Sequence, residues 1–490
     1  MQNTLRNTLH LKAPGNWIND PNGFIYYKGE YHLFYQYFPY EPVWGTMHWG
    51  HAVSKDLIHW EHLGVALYPT KRFDANGVFS GSAIERDGRI QLYYTAVHYN
   101  EEDPDNIHVA RDGKNTQSQA MIASEDGRIF DNRNGKKQII PSIADTSIAD
   151  PQDCRDPKVW QEENGYYMCL GSTHQNEEGV LLIYYSKDSE NWEYRGRLQD
   201  KRLGYALECP DLFRVGDQYI LICSPMGNYS GRECPESQST MQKVFFDPVS
   251  GKVELQNIAP GEPARLLDYG LDLYAPQSNL DAEGRRTVIA WVRMPQAQQA
   301  ADNEASGGKL WNGMMALPRL VELRDGEIVT PVHPNVREYF KDAERMEGLI
   351  QSRNEAAGSG GPGQPENDAA DTDSSENQEI GHACVTAAGW TVWQKEGRER
   401  LVGSMKEGDE ICVRGVKIAL RNGCICMDRT GLLPEDAAWH NTCCTPSVGD
   451  HCELEIYAET NLVEVFVNDG QYVASNIIYD TRGKRCTRLR

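Results

Sequence analysis

The chain contains no run of 18 apolar residues that could cross a bilayer as a helix. Its first residues, MQNTLRNTLHLKAPGNW, lack the apolar core of a secretory leader. Positive charge is scarce: 49 Lys and Arg face 71 Asp and Glu, a formal net charge of −22, and the one basic cluster is a short tail from Arg482 to Arg490. That balance argues against a grip on nucleic-acid phosphates or anionic lipid, both of which need clustered cations. The expectation is a cytoplasmic protein with neither nucleic-acid nor membrane partners, or a secreted one if a leader has been removed. Homo-oligomerisation stays open.

Paired Cys-x-x-Cys ligand sets are also missing. Thirteen cysteines, eight of them after residue 380, form no repeating framework and are expected as reduced thiols. Cys424, Cys426, Cys443, Cys444 and Cys452 cluster with His440 and His451, but their spacing matches no zinc site, so no metal is expected.

Helical periodicity is rare before residue 330, and what fills the space is a recurring hairpin. Tight-turn residues followed by an aromatic or β-branched run appear five times, in KGEYHLFYQY, DGRIQLYYTA, ENGYYMCLGS, VGDQYILICS and EGRRTVIAWV. Their glycines, Gly29, Gly88, Gly165, Gly216 and Gly284, lie 59, 77, 51 and 68 residues apart. One such interval holds about four strands with loops, the content of a propeller blade. A Ser-x-Asp turn at Ser54, Ser124 and Ser186 recurs in step with it. Residues 1–334 are therefore expected to form an all-β, five-bladed β-propeller.

After Pro331 the apolar spacing of Val336, Tyr339, Phe340, Ala343 and Met346 predicts a connecting helix over 335–351. A Gly-, Ser- and acid-rich insertion near 352–380 is expected to be a flexible loop. The alternation in CELEIYAE and LVEVFVNDGQYVASNIIY then predicts an antiparallel β-sandwich within 352–490.

Counting back from the turn glycines, Asp20, Asp156, Glu208 and Asp272 lie 9, 9, 8 and 12 residues ahead, with Ser80 at the matching place in the second repeat. Each carboxylate alone could cap a strand end. Their shared phase instead suggests convergence at one channel mouth, where repulsion keeps one acid protonated while another is ionised. Glycosidic cleavage needs that division: one carboxylate attacks the anomeric carbon and a carboxylic acid protonates the leaving oxygen. Arg155 would hold a carboxylate ionised or bind a hydroxyl, and Trp44, Trp49, Tyr274 and Trp291 suit stacking on sugar faces.

The ordered segments WINDPNG, FYQYFPYEPVWGTMHWGHAVSKDLIHW, FSGSA, RDPKVW, ECPDLF, YAPQ and WNGMMALPR resemble glycoside hydrolase family 32, the β-fructofuranosidases, and LVEVFVNDG resembles that family's C-terminal sandwich. The resemblance implies hydrolysis of a terminal β-D-fructofuranosyl unit from sucrose, sucrose-6-phosphate or short fructo-oligosaccharides, with fructan hydrolysis or fructosyl transfer as alternatives and a non-catalytic sugar-binding propeller as the remote one. It implies Asp20 as nucleophile, Glu208 as general acid/base and Asp156 as transition-state stabiliser. Asn19, Gln36, Trp44, Phe79, Ser80, Arg155, Tyr274 and Trp291 would line the fructosyl pocket, and Asp272 is counted with them from its place in the repeat. No cofactor is implied. The acidic insertion departs from the family pattern.

Overall fold

The structure is a computed structural model; it describes residues 5–228, 235–256, 264–347 and 389–479, apart from the single residues 300, 302, 436 and 438. Alternation of bulky and polar residues between glycine turns gives five antiparallel sheets in sequence order. The first comprises Asn16–Tyr27, Glu30–Phe38, His48–Ser54 and His59–Leu67, and the second Gly77–Arg86, Arg89–Tyr99, Asn115–Ser124 and Lys137–Ile140. The third runs Arg155–Glu162, Gly165–His174, Glu178–Ser186 and Glu193–Gln199, and the fourth Ala206–Val215, Gln218–Met226, Thr240–Asp247 and Lys252–Leu255. The fifth is built on Leu273–Leu280 and Arg286–Val292, completed by the short strands Met314–Met315 and Arg319–Leu320.

The first strands of the five sheets pack against one another in a closed ring, each touching the next and the fifth touching the first. This is a five-bladed propeller. Its circle is fastened beside the first inner strand, where Trp311–Asn312 pairs in parallel with Asn16 and Trp17. Apolar clusters fill the spaces between blades: Phe34, Trp49, Leu92 and Tyr94 between the first and second, and Cys169, Leu181, Leu212 and Leu221 between the third and fourth. Trp49, offered above for sugar stacking, is wholly buried in that core.

Under the channel mouth, polar side chains from different blades meet one another. Lys158 pairs with Asp211 at 3.0 Å, Asn22 accepts from the Gly81 N–H, and Gln277 donates to the Gly81 carbonyl. Each of these buried groups has a partner on another blade, so the blades are cross-linked beneath the site.

The predicted helix over 335–351 is corrected. Among the described residues of that span, only Pro334–Tyr339 is helical, and Glu344–Glu347 is an edge strand of the C-terminal sandwich. The helical spacing ends at Phe340 because β-pairing with Thr391–Lys395 satisfies the later backbone better than an isolated turn would. A six-stranded sheet, Glu344–Glu347, Thr391–Lys395, Arg398–Lys406, His451–Ala458, Leu462–Val467 and Tyr472–Ile477, faces a four-stranded one, Glu410–Val413, Val416–Arg421, Cys424–Asp428 and Thr442–Ser447. Alternate residues such as Ile411, Val413, Ile418, Leu420, Leu454 and Ile456 form the filling. The acidic insertion lies outside the described residues.

Cysteine chemistry also differs from expectation. Cys426 and Cys444 sit opposite one another on neighbouring strands and are joined in a disulfide, while Cys154, Cys169, Cys209, Cys223, Cys424, Cys443 and Cys452 are free thiols. Spacing arithmetic looked for ligand sets and did not register that strand pairing would oppose these two side chains.

Candidate active site

Every inner strand breaks its ladder at the same place. The register with the second strand shifts between Ile18 and Pro21, Phe79 and Gly81, Arg155 and Lys158, Glu208 and Asp211, and Tyr274 and Gln277. In four blades the break holds an Xaa-Pro pair: Asp20-Pro21, Asp156-Pro157, Cys209-Pro210 and Ala275-Pro276. Proline has no N–H to give the ladder, so it is suited to a bulge, and the bulge turns the neighbouring side chains toward the axis. The second blade uses Ser80-Gly81, where a Cβ on Gly81 would meet the Tyr93 carbonyl oxygen at 1.9 Å. Backbone strain gathers here as well, with Asp156, Cys209 and Ala275 at φ of 63°, 45° and 49°.

The bulges deliver two rings of side chains: Asp20, Ser80, Asp156, Cys209 and Ala275, and one residue earlier Asn19, Phe79, Arg155, Glu208 and Tyr274. They explain why counting from glycines mixed two phases. Asp156 is the equivalent of Asp20, whereas Glu208 is the equivalent of Arg155. Asp272 lies three residues before Ala275 and is corrected as a pocket residue: it is fully buried, forks onto Arg429 of the sandwich and accepts from the Ile477 N–H. An unpaired carboxylate at that depth would be costly, and Arg429 is what holds it.

Asn19, Asp20, Gln36, Trp44, Phe79, Ser80, Arg155, Asp156 and Glu208 all line one cavity of about 420 Å³. Each oxygen of Asp20 is held. Ser80 donates to Oδ2 at 2.5 Å, the Cys209 thiol lies 3.6 Å from the same atom, and Asn19 donates to Oδ1 at 3.1 Å. Trp17 fixes the Asn19 amide by donating to its carbonyl oxygen at 2.8 Å. Glu208 takes Arg155 on Oε1, at 3.2 and 3.3 Å, and the Tyr274 hydroxyl on Oε2, at 2.8 Å. Asp156 accepts the Cys209 N–H at 2.8 Å, and its own N–H donates to Thr95 at 2.9 Å.

Trp44 is 43% exposed at the rim, edge-on to Phe79, and Gln36 is anchored by donating to the Val78 carbonyl. Tyr274 reaches the site through Glu208. Trp291 does so through Trp17, packing edge-on at 5.8 Å, and does not line the cavity. Trp17, Thr95, Gln117 and Asp153 went unnoticed in the sequence. The repeated Xaa-Pro pairs were a usable signal for the ring itself, and nothing local marks residues from second strands and loops.

Three carboxyl groups share one buried space with a single guanidinium. Burial pushes Asp156 up to about 7; Arg155 draws it down, while the charges of Asp20 and Glu208 push it further up. Burial also raises Asp20, opposed first by the Ser80 hydrogen bond and reinforced by the charge of Glu208. Arg155 is held firmly protonated: burial works against its charge, but Glu208, Asp153 and Asp156 together outweigh it. The arrangement can hold one proton among several acids, as acid–base chemistry on an acetal requires.

Among the described residues, one group could be taken for a metal site: Asp281, Glu283 and His333. Arg285 already fills it, donating to Asp281 at 2.7 Å and to Glu283 at 2.8 Å, so it is an ion-pair cluster. No helix among the described residues is long and apolar enough to cross a membrane.

Comparison with known proteins gives independent witnesses. A sucrose-6-phosphate hydrolase of Zymomonas mobilis is 35% identical over 359 residues, 70% of this chain and 64% of the relative, so this chain spans just under two thirds of that relative's length. A sucrose-6-phosphate hydrolase of Escherichia coli is 31% identical across 97% of this chain and 90% of its own. The solved GH32 beta-fructofuranosidase of Bombyx mori superposes with a TM-score of 0.71 at 25% identity, covering 97% of this chain and 89% of that one. The solved sucrose-6-phosphate hydrolase of Lactobacillus gasseri shares the fold over 99% of this chain and 90% of its own, with a TM-score of 0.75 at 22% identity. The family model for the N-terminal domain of glycosyl hydrolases family 32 matches residues 10–331, the span of the propeller described above, and the chain belongs to that family.

Proposed function

We propose that this chain is a retaining β-fructofuranosidase that releases the terminal non-reducing β-D-fructofuranosyl unit of sucrose, sucrose-6-phosphate or a short fructo-oligosaccharide. The observation that carries the proposal is the convergence of Asp20, Asp156 and Glu208 from three blades on one cavity, each in a different setting. Asp20, with Ser80 and Asn19 on its two oxygens, is oriented as a nucleophile toward the anomeric carbon. Glu208, between Arg155 and Tyr274, protonates the bridging oxygen as the bond to the leaving sugar breaks. In the second half-reaction Glu208 takes a proton from water, which attacks the glycosyl–Asp20 ester and frees fructose. Asp156 faces the positive charge that develops on the ring in both steps and holds the sugar hydroxyls.

The names of the Zymomonas, Escherichia and Bombyx relatives support this substrate class. The test is fructose release from the candidate sugars, followed by NMR of the first-formed anomer. Net retention is expected, and inversion would overturn the roles given to Asp20 and Glu208. Absence of fructose from every substrate would overturn the activity.

A further inference from the structure

The wall of the cavity beyond the fructosyl position has a one-sided charge. Glu208 must face the bridging oxygen, so the leaving sugar lies on the side of Glu208 and Arg155. On that side stands Asp153, whose side chain is 34% exposed and accepts from Arg155 Nη1 at 2.6 Å. Among the described residues lining the cavity, Asp20, Asp153, Asp156 and Glu208 are its acids, and Arg155 is its only cation. That cation is committed: its other nitrogens bind Glu208, and Gln117 takes a further contact from Nη1 at 3.4 Å.

The rest of the described wall is neutral. Asn115, Gln117, Val109 and Tyr99 complete it, and the Asn115 carbonyl oxygen has no hydrogen-bond partner. The segment between Asn100 and Asn115 carries five carboxylates, Glu101, Glu102, Asp103, Asp105 and Asp112, against Arg111 and Lys114. Arg111 is itself paired with Glu101. Carboxylate and amide oxygens suit hydroxyl groups, which donate. A phosphate dianion brings only acceptors and charge of the same sign, and recognising one takes uncommitted Arg or Lys, or convergent N–H groups.

Resting on the fructofuranosidase reading above, we propose that this site selects an uncharged leaving sugar over a phosphorylated one, with Asp153 as the specificity-determining residue. Sucrose and neutral fructo-oligosaccharides are then its substrates, and sucrose-6-phosphate is disfavoured by repulsion from Asp153 and by Arg155 being already engaged.

The test compares kcat/KM for sucrose and sucrose-6-phosphate, in the parent and in Asp153→Asn, at low and high ionic strength. The parent is expected to prefer sucrose by about tenfold or more at low salt, mainly through KM. That margin should narrow as salt screens the exposed part of the repulsion. Asp153→Asn should lower the preference several-fold whatever it does to overall rate, since the readout is a ratio. Inhibition of the parent by glucose against glucose 6-phosphate gives the same contrast without any variant: glucose should bind more tightly. Equal or better turnover of sucrose-6-phosphate by the parent, or an unchanged ratio in a folded Asp153→Asn, would overturn the proposal while leaving the hydrolase reading intact. Fructose from neither sugar would instead remove the hydrolase reading beneath it.

Discussion

Two of the buried charge clusters among the described residues are built on opposite plans. At the channel mouth, carboxyl groups outnumber cations, and burial with mutual repulsion raises Asp20 and Asp156. At the junction of propeller and sandwich, the signs are matched. His10 lies between Glu459 and Glu464 at 3.2 Å each, Lys12 is 2.9 Å from Glu459, and Arg319 bridges Asp268 at 2.8 Å and Glu464 at 3.1 Å. Burial would raise Glu464 and Glu459, but their cationic neighbours outweigh it, lowering Glu464 and holding Glu459 well below the usual carboxylate range. The same residue types thus do two jobs. A matched cluster fixes how two domains meet, and an unmatched one keeps a proton mobile at the cost of local stability.

The widest separation between the two should come from removing charge. Asp20→Asn and Glu208→Gln are each expected to lower kcat by about 10³-fold or more, since each removes a reacting group, and both proteins should remain folded by thermal melting. Next in size, Arg429→Met strands the buried Asp272 and should cost about 3–5 kcal/mol in denaturant unfolding. Adding Asp272→Leu should recover most of that loss, which a simple packing defect would not.

Asp156→Asn should behave in the opposite way, trading activity for stability. Between a pH near ~4 and about 7 the unfolded chain has released this proton and the folded chain has not, so stability falls with rising pH across that window. The variant is therefore expected to melt about 1–3 °C higher than the parent at pH 8 and no higher at pH 4.

The smallest effect is assigned to His10. Burial alone would lower it, but Glu459 and Glu464 raise it to about 9. Its contribution is fully present below pH ~6.5 and is lost as the pH rises through about 9. His10→Gln should flatten the stability profile in that interval, by on the order of 1 kcal/mol. A slope that survives the substitution would place the matched cluster's pH dependence elsewhere.

Much of the fold was legible because a propeller repeats its turns: the glycines after each first strand marked every blade. The site was legible through long motifs, and Asp20, Asp156 and Glu208 do meet in the cavity. The misassignment of Asp272 has a physical origin, because turn glycines sit at the far end of a strand and bulges of unequal size intervene. Counting from the Xaa-Pro pairs would have placed Ala275, not Asp272, on the axis. The helix over 335–351 failed for another reason: Val336 and Tyr339 do lie on a helix, but the backbone from Glu344 pairs with a sheet edge instead of continuing it. The charge match between Asp272 and Arg429, 157 residues apart, has no local trace at all.

The fastening of the propeller beside its first inner strand sets a timetable. Asn16 and Trp17 pair with Trp311 and Asn312, so the strand that carries Asp20 gains its last neighbour only when the chain has been made almost 300 residues further. At about 5–20 residues per second, the strand of Asp20 waits roughly 15–60 s on the ribosome with one edge open. Four blades can close in order as they emerge, but the carboxylate cavity is among the last parts of the propeller to be finished, and a truncated chain ending before Trp311 should accumulate as an incomplete, aggregation-prone arc.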